Sequence, residues 1–153
     1  MMESRRPIKV FISYAYEDHE WLKRLIRHLG PFEQQGRITI WDRSLMEAGV
    51  VAKIAIEQQL SGSDVILLLI SDHYLGSRSY YTQEMMPAIE QHKQGKARTF
   101  PILLSPVIWR QTPLATLQIL PSNAIPITLW GNVDLALTSI VEEIGQIVDG
   151  THL

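Results

Sequence analysis

Short apolar runs recur along the chain and are separated by segments with helical spacing. Each run is short and rich in Ile, Val and Leu, which favours a β-strand over a helix. The five runs cover residues 8–14, 38–42, 64–71, 99–105 and 124–130. The third run, DVILLLIS, is almost continuously apolar, as is typical of a parallel strand covered on both faces. The pattern therefore predicts five strands, with residues 64–71 near the centre of the sheet.

Helical segments lie between these strands. In the first and the last of them, apolar residues repeat three and four positions apart, as on the buried face of an amphipathic helix. The predicted helices cover residues 18–30, 51–61, 84–93 and 137–148. Asp18 is placed to cap the first helix, and Gly30 with Pro31 marks its end.

Because strands and helices alternate, parallel strands joined by right-handed crossovers are expected. The sequence therefore predicts an α/β fold: a flavodoxin-like three-layer sandwich whose five-stranded parallel sheet has the order 2-1-3-4-5, with helices on both faces. A single domain is expected over residues 8–149, with flexible termini at 1–7 and 150–153. Ligands of such sheets bind beyond the carboxyl ends of the strands, so the segments after strands 1 and 3 mark the expected site.

Composition excludes several classes of protein. The chain has 153 residues, 46% of them hydrophobic and 20% charged, which suits one soluble globular domain. A formal net charge of -2 argues against nucleic-acid binding, and no apolar run is long enough to cross a membrane. There is no cysteine and no signal peptide, which fits a cytoplasmic protein without disulfides.

Several catalytic motifs are absent from the sequence. The histidines lack the spacing of metal ligands, so no metal site is predicted. No glycine-rich phosphate loop and no GxSxG nucleophile motif occurs. A response-regulator receiver is excluded as well, because the segment LLSPV lacks the lysine that such a domain needs after this strand.

Four segments resemble, in order, the motifs of TIR (Toll/interleukin-1 receptor) domains of the bacterial type. They are FISYAYEDHEW at 11–21, WDRSLMEAG at 41–49, SDVILLLISDHYLGSRSYYTQEM at 63–85 and ILPSNAIPITLW at 119–130. The second segment corresponds to the BB loop of that family. The resemblance runs from about Ile8 to Val148. Two departures occur: Tyr80 or Tyr81 replaces the usual cysteine ahead of the glutamate, and the helix after the BB loop begins GVVAKI.

The resemblance implies a site that cleaves the nicotinamide–ribose bond of NAD+, with NAD+ as substrate and no other cofactor. Glu84 would be the catalytic carboxylate, stabilising positive charge on the ribose. The implied substrate-binding residues are Ser13, Tyr14, Asp42, Arg43, Ser79, Tyr80 and Tyr81. A carboxylate in the first turn of a helix is also favoured simply by the helix dipole, so the residues alone leave a structural role for Glu84 open.

The expected function is therefore that of a TIR-domain NAD+ glycohydrolase or cyclase in bacterial immune signalling, including antiphage defence. Its product would be ADP-ribose or a cyclic isomer, between which the sequence does not distinguish. The resemblance also implies self-association through TIR–TIR contacts and a sensor domain in a longer protein. The alternative is a non-enzymatic TIR module that acts as a scaffold for other proteins.

Overall fold

The apolar runs of the sequence form a parallel sheet with the strand order β2-β1-β3-β4. The computed structural model describes residues 6–151. Its strands are β1 (Ile8–Ser13), β2 (Ile38–Trp41), β3 (Val65–Ile70) and β4 (Arg98–Leu103). Its helices are α1 (His19–Gln34), α2 (Ala52–Gly62), α3 (Asp72–Leu75), α4 (Arg78–Tyr80), α5 (Met86–Lys93) and α6 (Val133–Thr151). Between residues 6 and 151, no helix is both long enough and apolar enough to cross a membrane.

The central strand β3 divides the core into two halves. Val65, Leu67 and Leu69 join a cluster with apolar residues of α1 and α6. The alternate residues of β3 join a second cluster with residues of α2 and α5. Because successive side chains of a strand point to opposite faces, this split produces a sheet between two layers of helices. The predicted three-layer α/β fold is confirmed.

The predicted fifth strand does not form in the described part of the chain. Residues 124–130 contain a turn with a short 3-10 helix, Ile127–Leu129. Ala124 has a φ of 59°, and Pro126 lacks the N–H that an extended ladder would need. The place beside β4 is taken by Leu120, which forms a single parallel bridge with Ile102. The predicted order holds for four strands, and the prediction of five was wrong.

Three helical segments extend beyond their predicted ends. The helix α1 continues through Pro31 to Gln34, because Phe32 packs against α6 at Gly145, where a Cβ atom would lie 2.9 Å from the ring. The helical segment expected from Glu84 begins at Arg78 instead, and a five-residue π turn, Tyr81–Met85, joins α4 to α5. At the ends of the chain, residues 1–5 and 152–153 of the predicted flexible termini lie outside the described residues, whereas α6 continues to Thr151.

Candidate functional site

Glu84 lies buried beyond the carboxyl ends of β1 and β3, with 5% of its surface exposed. The chain leaves β3, passes through α3 and α4, and returns in the π turn that carries Glu84. Ser13, the last residue of β1, donates a hydrogen bond of 2.7 Å from its Oγ to Glu84 Oε1. The structure therefore brings together the predicted catalytic residue and one predicted substrate-binding residue. They follow β1 and β3, the two neighbouring strands between which the order of the sheet reverses direction.

The turn after β2 supplies the second partner of Glu84. Asp42 is buried, and its Oδ1 accepts a hydrogen bond of 2.8 Å from Ser44 N, which shapes the turn Arg43–Leu45. Arg43 reaches across the site from this turn. Its Nη1 donates to Glu84 Oε2 at 3.3 Å, and its Nη2 donates to the carbonyl oxygen of Tyr14. The two carboxylate oxygens are thus held by different elements of the fold.

Two tyrosine rings contact the guanidinium of Arg43. Its Cζ lies 5.0 Å from the centre of the Tyr14 ring and 4.8 Å from that of Tyr80, within cation–π range. The Tyr80 hydroxyl accepts a hydrogen bond of 3.1 Å from the backbone N–H of Tyr16. The site therefore consists of one buried carboxylate beside a cation that contacts two aromatic rings.

Two of the predicted site residues lie away from this cluster. Ser79 is exposed on α4, and Tyr81 is half-buried against the apolar cluster on the α2 and α5 face. Neither takes part in the hydrogen bonds to Glu84, which come from Ser13 and Arg43. Of the two adjacent tyrosines, Tyr80 is the one whose ring contacts Arg43.

Burial dominates the electrostatics of Glu84. Removal from water raises the pKa of its carboxyl, while the hydrogen bond from Ser13 and the charge of Arg43 act in the opposite direction. Burial likewise raises the pKa of Tyr14, and the negative charge of Asp42 adds to this effect. The ionised form of Glu84 thus depends on the two partners that the fold provides.

We expect Arg43→Met to move the titration of Glu84 to higher pH, because methionine removes the positive charge beside Oε2 and keeps a long side chain beside the carboxyl. The measurement is a carbon-13 NMR titration of the Glu84 carboxyl. Arg27→Met, on α1, removes the same charge elsewhere and serves as the control. An unchanged Glu84 midpoint in Arg43→Met would show that the ion pair does not form in solution.

Sequence reasoning missed the polar residues behind the site. Tyr74 is completely buried in α3, and its hydroxyl lies 2.7 Å from Ser13 Oγ. Asp18 was expected to cap α1, but its side chain makes no cap bond and instead accepts a hydrogen bond from Ser71 Oγ. Burial raises the pKa of Asp18. The signal for these residues was their position directly after β1 and β3, where the predicted site lies.

A cavity of about 310 Å³ lies between α2 and α5, next to the π turn. It is lined by Ile56, Leu60, Gln83 and Pro87 among others, and its lining includes neither Glu84 nor Ser13. Within residues 6–151, no three or more His, Asp or Glu side chains are grouped so as to hold a metal ion.

Comparisons with known proteins bear on the family and the fold. The TIR domain family matches residues 10–137 of the chain. The uncharacterised protein y4lF of Sinorhizobium fredii (strain NBRC 101917 / NGR234) is 32% identical over 137 residues, which are 90% of this chain and 42% of that protein. The chain thus spans less than half the length of this relative.

A solved structure shows the same fold. It is that of the TIR domains in the activated Roq1 resistosome directly recognising the pathogen effector XopQ, with a TM-score of 0.63 and 13% sequence identity. The similarity covers 90% of this chain and 99% of that chain. The structural similarity shows the fold, and the match over residues 10–137 shows the family. The chain belongs to the TIR domain family.

Proposed function

We propose that this TIR domain is an NAD+ glycohydrolase that uses Glu84 to cleave the bond between nicotinamide and ribose. The observation that carries the proposal is the buried carboxylate beyond the carboxyl ends of β1 and β3, held by Ser13 and paired with a cation. NAD+ is the substrate, and the reaction uses no other cofactor. The products are nicotinamide and either ADP-ribose or a cyclic isomer of it.

The reaction needs only one carboxylate. The nicotinamide ring of NAD+ is already a cation, so it leaves with the electron pair of the C–N bond and needs no proton from an acid. Positive charge then develops on the ribose, and an adjacent carboxylate stabilises it as in other glycosidic cleavages. Water completes hydrolysis and releases a proton, whereas an attacking group of the same ADP-ribose completes cyclisation. In a buried site the charge of Glu84 acts more strongly than it would in water.

The surroundings of Arg43 support a cationic aromatic ligand. The guanidinium lies within cation–π range of the rings of Tyr14 and Tyr80 and next to Glu84. A positively charged nicotinamide ring has the same needs, because it is flat, stacks on aromatic faces and is attracted by a carboxylate. In the proposed complex the nicotinamide ring therefore takes the place of the Arg43 guanidinium, and its ribose lies next to Glu84.

Entry of the substrate requires a movement of the turn after β2. The Glu84 side chain is only 6% exposed, and the more exposed Arg43 side chain (22%) is paired with its Oε2. We propose that contact between copies of the domain draws this turn away. Large apolar side chains are exposed on the same segment, as expected for a protein-binding surface. They are Leu45, Val50, Val51 and Ile54.

The same exposed segment favours the second candidate, a scaffold that recruits other proteins without catalysis. The two candidates differ at Glu84, because a scaffold has no use for a buried carboxylate that has to be stabilised by two partners. A role in bacterial immune signalling, in the cytoplasm and under the control of a sensor domain, is part of the proposal. The greater length of the rhizobial relative supports the existence of such a further domain.

The test is nicotinamide release from NAD+ by the purified domain, measured over a series of protein concentrations with and without a crowding agent. We expect release per domain to rise with concentration, because assembly uncovers Glu84. NADH is the matched control substrate: its dihydronicotinamide is uncharged and a poor leaving group, so it should not be cleaved. Chromatography of the same samples identifies the linear or the cyclic product.

Absence of release from a folded, self-associated domain would contradict the enzyme and favour the scaffold. Equal cleavage of NADH and NAD+ would contradict the proposed chemistry, because departure would then not depend on the charge of the nicotinamide.

A further inference from the structure

The hydroxyl of Tyr74 lies in the interior of the protein, where a phenylalanine would pack equally well. Tyr74 has no exposed surface, and its ring stacks on that of Tyr80 with centres 5.5 Å apart and an angle of 7° between the planes. A buried hydroxyl without a hydrogen-bond partner is unfavourable. Its partner here is Ser13 Oγ at 2.7 Å. The hydroxyl is thus placed at the back of the site by the helix that follows β3.

The direction of the hydrogen bonds follows from counting protons. Ser13 has one hydroxyl hydrogen, and the carboxylate of Glu84, which can only accept, receives it at 2.7 Å. Ser13 Oγ must therefore accept in its contact with Tyr74, so Tyr74 donates. Burial and the nearby charge of Glu84 raise the pKa of Tyr74, so its hydrogen stays in place. The result is a directed chain from Tyr74 through Ser13 to Glu84.

Such a chain strengthens its last bond, because each hydrogen bond polarises the next. The other oxygen of Glu84 is paired with Arg43, whose turn has to move in the proposed reaction. Oε1 is held instead by Ser13, the last residue of β1, which is paired with Leu68 of the central strand β3. The chain through Ser13 therefore keeps its contact with the carboxylate when Arg43 leaves.

We propose that Tyr74 is a positioning residue, which acts through Ser13 to orient Glu84 and to keep its carboxylate ionised. The part that concerns catalysis rests on the proposed NAD+ cleavage, whereas the hydrogen-bonded chain itself does not. Other charged or titratable groups also face Glu84 and Tyr74, and the test has to leave them unchanged. They are Arg43 from the turn after β2 and Tyr80 from α4. Tyr14, which follows β1, and Asp42 lie one contact further away, because Tyr14 faces Arg43, Tyr80 and Asp42.

The test is the variant Tyr74→Phe, compared with Tyr16→Phe. Tyr16 is 71% exposed, so its variant removes the same atom outside the site. In Tyr74→Phe we expect the carbon-13 titration of the Glu84 carboxyl to shift to higher pH. The acid limb of the pH profile of kcat shifts with it, and kcat falls by about tenfold, in the range found for outer partners of functional groups. Tyr16→Phe leaves both profiles as in the wild type.

Ser13→Ala completes the design as a double-mutant cycle. It cuts the same chain, so adding Tyr74→Phe to it should cause no further shift of the Glu84 titration. Additive shifts, or a Glu84 midpoint in Tyr74→Phe equal to that of the wild type, would overturn the proposal. Because this measurement needs no substrate, it decides on the chain of hydrogen bonds even if the domain does not cleave NAD+. A fall in kcat without any shift in the Glu84 midpoint would overturn it as well.

A measurement on the wild type covers the case in which Tyr74→Phe does not fold. The ζ-carbon resonance of Tyr74 is expected to follow pH with the same midpoint as the Glu84 carboxyl, because the hydroxyl senses the charge through Ser13. The resonance of Tyr16 should not follow it. A Tyr74 resonance that ignores the Glu84 titration would overturn the proposal without any variant.

Discussion

Glu84→Gln is expected to lower the rate of nicotinamide release by a factor of about 100 to 1000, the range found when one stabilising group of a transition state is removed. Glutamine has nearly the same shape, and its carbonyl oxygen can still accept the hydrogen bond from Ser13. It lacks the negative charge that the developing cation requires. Glu90→Gln, at an exposed position of α5, is the matched control and should keep the wild-type rate. A Glu84→Gln variant that releases nicotinamide as fast as the wild type would exclude Glu84 as the catalytic residue.

The same variant is expected to be more stable than the wild type at neutral pH. Because the pKa of Glu84 is raised in the folded state, that state binds the proton more tightly than the unfolded chain does. The buried charge therefore lowers the free energy of unfolding above the folded-state pKa, and this penalty disappears as the pH falls through it. Glutamine removes the penalty, which should add about 1 kcal/mol at pH 7.

Urea unfolding at pH 7 and below about pH 4, where glutamates are normally protonated, measures the difference. The gain of Glu84→Gln should be present at the first pH and should shrink at the second. A variant that is less stable than the wild type at pH 7 would show that the charge contributes to folding through Arg43 more than burial opposes it.

Leu67→Ala is expected to lower the free energy of unfolding by about 3–4 kcal/mol. Leu67 has no exposed surface and lies in the middle of β3, in the cluster shared with α1 and α6. Shortening it leaves a cavity that the flanking strands β1 and β4 cannot close without moving the sheet. A loss of this size is a large part of the stability of a typical domain, about 5–15 kcal/mol in total.

The measurement is chemical denaturation beside Leu135→Ala, the same change at a position of α6 that is 60% exposed. The control should stay within about 0.5 kcal/mol of the wild type. A loss below about 1 kcal/mol in Leu67→Ala would contradict the central, doubly covered position of β3.

The central strand and the layers could be predicted because their signals are local. The run VILLLI has no polar position, and only a strand covered on both faces suits such a run. The prediction of a fifth strand was wrong for a reason that lies partly in the same residues. The residues around Pro126 are apolar enough for a strand. The missing N–H of Pro126 and the left-handed backbone conformation of Ala124 nevertheless prevent an extended strand from forming there.

The candidate site was predictable in its residues but not in its contacts. Glu84, Ser13 and Arg43 were identified by a motif, whereas the ion pair joins residues 41 positions apart in the chain. Tyr74 lies within the third TIR-like segment, residues 63–85, but the sequence does not distinguish it from a packing residue, which is the usual role of a tyrosine after an apolar strand. Whether its hydroxyl meets Ser13 depends on the angle at which α3 leaves the sheet, and no local pattern encodes this angle.

The π turn has a consequence for how this segment can evolve. The backbone N–H of Met86 bonds to the carbonyl of Tyr81, five residues back, so the turn holds one residue more than an α-helical turn. Loss of one residue would let the helix become regular and would change the position of Glu84 relative to Tyr80. Thr82 and Gln83 are exposed, so other side chains can stand at these two positions, but the number of residues in the turn has to stay the same. Substitutions are compatible with the site here, whereas insertions and deletions separate its aromatic ring from its carboxylate.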